Sequence, residues 1–181
     1  MIYQLKISLK HTSPPVWRRI EVDESTTFAS LHQLIQIAFQ WEDCHFHEFQ
    51  VRDPYGPKTV RFSKSRMVIG NLDADIDYPF YVNQVVSEKH ALLNEWLVRE
   101  KDKCLYVYDF GAYWEHEILL EKIKPAEEGL AYPRCTKVMR GAPLEESEGI
   151  LNEVIEINEK EEVEQINTAF AWHALAIGVK V

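Results

Sequence analysis

Tyr3, Leu5, Ile7 and Leu9 alternate with Gln4, Lys6, Ser8 and Lys10, and that period of two is the pattern of a strand with one buried face. Ser13-Pro14-Pro15 interrupts it, because proline has no N–H to give to a ladder, and an extended, β-branched-rich run resumes from Val16 to Val22. The spacing then changes. After Asp23-Glu24-Ser25-Thr26-Thr27, rich in helix-capping types, Phe28, Leu31, Leu34, Ile35, Ala38 and Phe39 recur at helical intervals. The chain thus opens strand, strand, helix, and the helix is expected to pack on the strand pair.

Trp41 to Cys44 reads as the exit from that helix. His45 to Arg52 reads as a further strand, ended by the turn chemistry of Asp53-Pro54-Tyr55-Gly56-Pro57, with Thr59 to Phe62 as the returning strand. From Ser63 to Tyr81 the pattern dissolves and predicts a long loop. Ser87 is placed to cap a short helix reaching about Val98, and Cys104 to Phe110 and Tyr113 to Ile123 read as two strands hinged at Gly111. Pro125 to Pro143 reads as irregular, whereas Val163, Ile166, Phe170, Ala174 and Ile177 mark a helix over Lys160 to Ile177. The expected class is α+β: a mixed, mostly antiparallel sheet beginning strand-strand-helix, with helices packed on one face. No repeat or low-complexity linker divides the chain, so residues 1–181 are expected to form a single domain.

Composition narrows the function classes. With 46% hydrophobic residues, 12% aromatic, the chain has enough apolar material for a core, yet no uninterrupted run long enough for a membrane span. The start, Met1-Ile2-Tyr3-Gln4-Leu5-Lys6, lacks the basic head and apolar block of a secretory signal, and Cys44, Cys104 and Cys135 do not form a disulfide framework. A cytoplasmic location and no membrane partner are expected. A net charge of −9 argues against broad attraction to nucleic acid. The charge is unevenly spread: Arg52 to Arg66 carries Arg52, Lys58, Arg61, Lys64 and Arg66 against Asp53, which leaves room for a local basic contact, whereas Glu145 to Glu164 is crowded with glutamates. Phosphate-loop, nucleophile-elbow and Cys-x-x-Cys motifs are missing from the sequence, which removes the main support for nucleotide hydrolysis, serine hydrolysis and a zinc ribbon.

The remaining chemistry sits in two segments, His45-Phe46-His47-Glu48-Phe49 and Tyr108-Asp109-Phe110-Gly111-Ala112-Tyr113-Trp114-Glu115-His116. On a strand, alternate residues share a face, which groups His45 with His47 and Phe49, and Trp114 with His116. If the two strand systems are neighbours, His45, His47 and His116 converge with Asp109 as ligands suited to zinc or another divalent metal. The plainer reading is that these are hydrogen-bonded or half-exposed structural histidines. Phe46, Phe49, Tyr106, Tyr108, Phe110, Tyr113 and Trp114, set among polar side chains, are the mixture of a ligand groove. Cys135 offers a thiol, although a free cysteine is more often a small buried residue. Trp17, followed by Arg18 and Arg19, is either an aromatic and basic contact or core.

Pro15-Val16-Trp17-Arg18-Arg19-Ile20, Leu31-His32-Gln33-Leu34-Ile35-Gln36, Phe39-Gln40-Trp41, His45-Phe46-His47-Glu48-Phe49, Tyr108-Asp109-Phe110-Gly111, Trp114 with His116, and Tyr132-Pro133-Arg134-Cys135 follow one another in an order that resembles the plasmid pRiA4b ORF-3-like family. The resemblance spans almost the whole chain and implies an α+β domain, encoded on plasmids, in mobile-element contexts and on chromosomes, without implying an activity. It also exposes two departures. Ala112 stands where the family has a second aspartate after Tyr-Asp-Phe-Gly, and Pro143-Leu144-Glu145-Glu146-Ser147-Glu148-Gly149 replaces the family's Pro-Pro-Glu-Asp-x-Gly-Gly loop. Alanine neither ligates metal nor transfers a proton, so a family activity that used the aspartate would be weakened here.

Two functions follow as expectations. The first is a ligand- or partner-binding, regulatory module tied to mobile-element biology, with Phe49, Tyr108 and Trp114 in its groove. The alternative is a metal-dependent hydrolase or nuclease in which His45, His47 and His116 hold a divalent ion, Asp109 orients a ligand or water, and Glu145 acts as base.

Overall fold

The computed structural model describes residues 1–54, 66–72, 85–147 and 155–178. In chain order the elements are β1 (Ile2–Leu9), β2 (Val16–Asp23), α1 (Phe28–Phe39), β3 (His47–Arg52), β4 (Arg66–Gly70), β5 (Val85–Ser87), α2 (Leu93–Trp96), β6 (Lys103–Tyr108), β7 (Trp114–Lys124), β8 (Arg134–Met139) and α3 (Glu159–Ala176). The strands make one sheet in the order β5-β4-β3-β6-β7-β1-β2-β8. Every pairing is antiparallel except β4 with β5, so the class is α+β as expected.

The alternation in β1 sets the layers. Tyr3, Leu5, Ile7 and Leu9 oppose Val22, Ile20, Arg18 and Val16 of β2, and this face packs in one core with Phe28, Leu31 and Ile35 of α1 and Ile166 and Phe170 of α3. The other face carries polar pairs such as Arg19 Nε donating to Glu121 at 2.6 Å, with Lys6, Arg19 and Lys137 arranged around the Trp17 ring. α1 starts where Thr27 Oγ1 accepts the Ser30 N–H at 3.1 Å and ends at Gln40, whose φ of 58° breaks the helical run.

Arg18 is the exception on the core side. Its fully buried guanidinium donates from Nε to the Ala38 carbonyl at the C-terminal end of α1 (2.8 Å) and from Nη1 to the Arg140 carbonyl beyond β8 (2.8 Å), and lies over the Phe39 ring. A cation there meets the negative end of the helix dipole. Burial lowers its pKa to about 10, partly opposed by Glu162, so it stays charged at neutral pH. α3 is tied to β8 by Asn167, which accepts the Cys135 N–H and donates to the Cys135 carbonyl (2.6 and 3.0 Å).

Four local expectations need correction. β4 runs through the segment read as a loop from Ser63, because five residues pairing with β3 need no alternating pattern when the strand lies inside the sheet. β8 lies inside the segment read as irregular; its register against β2 shifts between Arg19 and Ile20, which puts the buried residues Cys135 and Val138 three apart and erases the period of two. The helix expected from Ser87 is reduced to α2, since Val85–Ser87 pairs with β4 as β5. β3 begins at His47 and leaves His45 in the preceding bend. The strand expected over Thr59 to Phe62 lies outside the described residues, as does most of the basic stretch between Arg52 and Arg66. No described helix is long and apolar enough to cross a membrane.

Candidate functional site

β3, β6 and β7 are neighbours, so the two histidine-bearing segments are brought side by side as the sequence expects. Across these strands His47 opposes Tyr108, which opposes Trp114; one step further, Phe49 opposes Tyr106, which opposes His116. All six side chains are buried, and Phe49, Tyr106, Tyr108 and Trp114 belong to the core. The aromatic groove expected from Phe49, Tyr108 and Trp114 is therefore a layer of the core: Phe49 packs edge-on against Phe28 at 5.0 Å and lies 4.8 Å from Tyr106.

The expected convergence of His45, His47 and His116 does not occur. His47 and His116 are two strands apart, a separation near 10 Å at ordinary strand spacing, with β6 between them. His116 is 0% exposed; its ring meets Phe39, Trp41 and Tyr106 at 4.7, 5.3 and 5.4 Å, and neither nitrogen has a hydrogen-bond partner. Burial pushes its pKa down to about 3, opposed by the nearby main chain of Trp114 and Tyr106, so it is neutral at physiological pH.

His47 instead stacks on His32 of α1, ring centroids 3.5 Å apart and planes 8° from parallel. His47 Nε2 lies 2.7 Å from Glu88 Oε2, and both side chains are buried. His32 Nδ1 lies 2.8 Å from the Tyr106 hydroxyl, which also accepts from Gln36 Nε2 at 2.8 Å, and His32 Nε2 lies 2.8 Å from Asp43 Oδ1. Asp43 follows the exit from α1, has φ of 58°, and accepts on its second oxygen from Gln33 Nε2 at 3.0 Å. Burial lowers the His32 pKa, with the Asp43 bond opposing it; burial raises the Asp43 carboxyl, but its bonds to His32 and Gln33 reverse this and leave it below the ordinary range. Among the described residues, the group of metal-ligand types whose donor atoms all lie within 4.8 Å of one another is His32, Asp43 and His47. His47 belongs to the expected set, whereas His32, Asp43, Glu88 and Tyr106 were not singled out as polar site residues.

His45 belongs to a second cluster. Its Nε2 lies 3.1 Å from Glu146 Oε1 and 3.8 Å from Asp109 Oδ2. Asp109 chiefly shapes the hairpin from β6 to β7: φ is 55°, Oδ1 accepts the Gly111 N–H at 2.8 Å, and the main-chain N–H donates to Phe46 at 2.9 Å. Ala112 lies exposed in this turn. Glu145, expected as a base, has its oxygens engaged by the chain. Oε1 accepts from the Tyr108 hydroxyl and Oε2 from the Glu42 N–H, the latter at 2.5 Å. Burial raises the Glu145 carboxyl, yet the Tyr108 and main-chain donors outweigh this and hold it below its ordinary range; the Tyr108 hydroxyl, buried and facing that carboxylate, is raised. Trp114 Nε1 donates to the Glu145 carbonyl at 3.3 Å and Trp41 Nε1 to that of Pro143 at 2.9 Å, so the segment is latched onto the aromatic layer.

That latch walls a cleft of about 380 Å³ beside the end of α1. Its floor includes Phe39, Ala142, Ile155 and Ile157, and Glu42, Glu146 and Glu162 also line it. Gly141 makes the close approach possible, since a Cβ there would stand 2.5 Å from Ile155 Cγ2. Cys135 is buried and its thiol is pushed up to about 11 by burial, which disfavours the reactive thiolate.

An eight-stranded α+β sheet with its polar centre built between α1 and β3 defines the class of protein. The chain belongs to the plasmid pRiA4b ORF-3-like family, whose model matches residues 1–176. The uncharacterized protein y4hQ of Sinorhizobium fredii is 31% identical over 125 residues, 69% of this chain; the chain spans 56% of that relative's length. The crystal structure of a protein of unknown function, MM3350 from Methanosarcina mazei Go1, is 40% identical with a TM-score of 0.65, over 82% of this chain and 74% of that one.

Proposed function

We propose that this protein is a binding module that takes a cationic ligand with an apolar body into the cleft between the end of α1 and the 141–146 segment. The observation that carries the reading is the Glu145 latch. One carboxylate is consumed in holding the wall to Tyr108 and to the Glu42 N–H, while Glu42, Glu146 and Glu162 also line the cleft, Glu146 beside His45 Nε2 and Glu162 accepting from Gln40 Nε2 and facing Arg18. An apolar floor with a carboxylate rim suits an arginine- or lysine-bearing segment or a small organic cation and repels phosphates, in keeping with the net charge of −9.

The test is a thermal-shift and calorimetric comparison of acetyl-arginine-amide, spermidine and short arginine- and leucine-containing peptides with nucleotides of similar size. Cations with an apolar portion are expected to bind and raise Tm, nucleotides are expected to do neither, and the gain should vanish in a Glu42→Gln, Glu146→Gln double variant that keeps its circular dichroism. Binding of no cation, or equal binding by the folded double variant, overturns the reading.

A further inference from the structure

We infer that His32, His47 and Asp43 form a binding site for one first-row divalent transition-metal ion, separate from the cleft and from His45 and His116. A donor atom from each lies within 4.8 Å of the other two. Metal bonds to imidazole nitrogen and carboxylate oxygen are about 2.0–2.2 Å and an imidazole donates in its ring plane, so sharing one ion requires the two rings to turn out of their parallel stack until their donors converge. The three come from different elements: the middle of α1, the first residue of β3 and the turn that follows α1. Their meeting is thus a product of the tertiary fold rather than of local chain geometry.

The surrounding groups support the same assignment. A ligating histidine is ordinarily held through its other nitrogen by a polar partner that sets its orientation. His47 has Glu88 on Nε2 at 2.7 Å, a carboxylate only 5% exposed. His32 has the Tyr106 hydroxyl on Nδ1 at 2.8 Å, itself held by Gln36. Both arrangements fix a ring in a packed core, where an unpartnered polar group would be costly. Asp43 closes the set from the solvent side: its side chain is 35% exposed, while those of His32 and His47 are 4% and 8% exposed. Two imidazoles and one carboxylate, open to solvent through the carboxylate, suit zinc, iron(II), manganese or cobalt. The hard, all-oxygen shell preferred by calcium and magnesium is not what these side chains offer.

The test uses the full chain purified without an affinity tag, stripped with chelator and titrated with cobalt(II) and with zinc(II), read by calorimetry and by the visible absorption of cobalt. One equivalent is expected to bind. Asp43→Asn should weaken binding at least tenfold; asparagine tolerates the left-handed backbone found at Asp43, so this variant keeps the fold, checked by circular dichroism. His32→Gln should abolish the cobalt spectrum, and His45→Gln should leave it unchanged. The proposal is overturned by a wild-type chain that takes up no metal, by unchanged affinity in Asp43→Asn, or by binding that survives His32→Gln and disappears with His45→Gln.

Discussion

His47 and His116 are buried on the same face of one sheet, two strands apart, and live in opposite chemistry. His47 has Glu88 on one nitrogen and the His32 ring stacked on it; His116 is enclosed by Phe39, Trp41 and Tyr106 with both nitrogens lacking a hydrogen-bond partner. Residue type and strand face are identical, so neither decides the role. What differs is the neighbour across the layer. β3 lies where α1 and the turn after β5 deliver His32 and Glu88, whereas β7, deeper in the sheet, meets the aromatic end of α1. One imidazole is part of a polar centre and the other serves as core filling.

The largest effect that could break this contrast is acid unfolding. An imidazole ordinarily titrates at 6.5, but burial holds His116 at about 3, so the unfolded chain binds this proton more readily than the folded one. Stability from this group is therefore complete above pH 6.5 and is lost as the pH falls towards 3, by about 5 kcal/mol in all. His116→Leu removes the titration and the unsatisfied nitrogens together, and at neutral pH should be neutral or stabilising by about 1 kcal/mol. Urea unfolding of both proteins between these limits checks it. Parallel stability curves would show that His116 is not a buried imidazole held neutral in the folded chain.

His47→Leu sharpens the comparison from the other side. The same substitution leaves Glu88 buried without its imidazole partner, and in chelator-containing buffer should cost about 3 kcal/mol. A His47→Leu, Glu88→Leu pair should recover part of the loss, because both polar partners leave at once. Equal stability of His47→Leu and His116→Leu at neutral pH would erase the distinction between the two sites.

The sheet's frame was legible in the chain because β1, α1, β6 and β7 each carry a complete local signal: alternation in Tyr3 to Leu9, helical spacing from Phe28 to Phe39, a glycine between two strand runs. β8 was not, since a register shift moved its buried residues off period. The site was half legible. His47 stood out because histidines two apart in a strand draw notice, but its partners come from a helix, a turn and a strand end, far apart in sequence, and no single-chain pattern announces such a meeting. One signal was there to be used: His32 and Gln36 are polar, four apart, and on the same stripe as Leu31 and Ile35, and both are buried. A polar pair inside an apolar helical stripe needs partners, and Tyr106 supplies them. Glu145 misled for the reverse reason, because an exposed-looking glutamate in an acidic run turned out to be occupied by Tyr108 and main-chain N–H groups.

The smallest effect concerns His45, which completes the series as the partly exposed member. Its hydrogen bond to Glu146 raises its pKa above 6.5, with burial opposing and Asp109 adding to the rise. The folded chain thus holds this proton more tightly than the unfolded one, so the contribution is present below pH 6.5 and fades as the pH climbs through the raised value. Glu146 is 79% exposed, which keeps the energy small, below about 0.5 kcal/mol. The sensitive measurement is therefore an NMR titration of the His45 ring rather than an unfolding curve. Glu146→Gln should bring the His45 pKa down towards its ordinary value and leave the ring resonances of His116 unmoved. A His45 titration that ignores the substitution would mean that the bond is not kept in solution, and with it would go the view that His45 answers to the cleft carboxylates rather than to the stacked histidine centre.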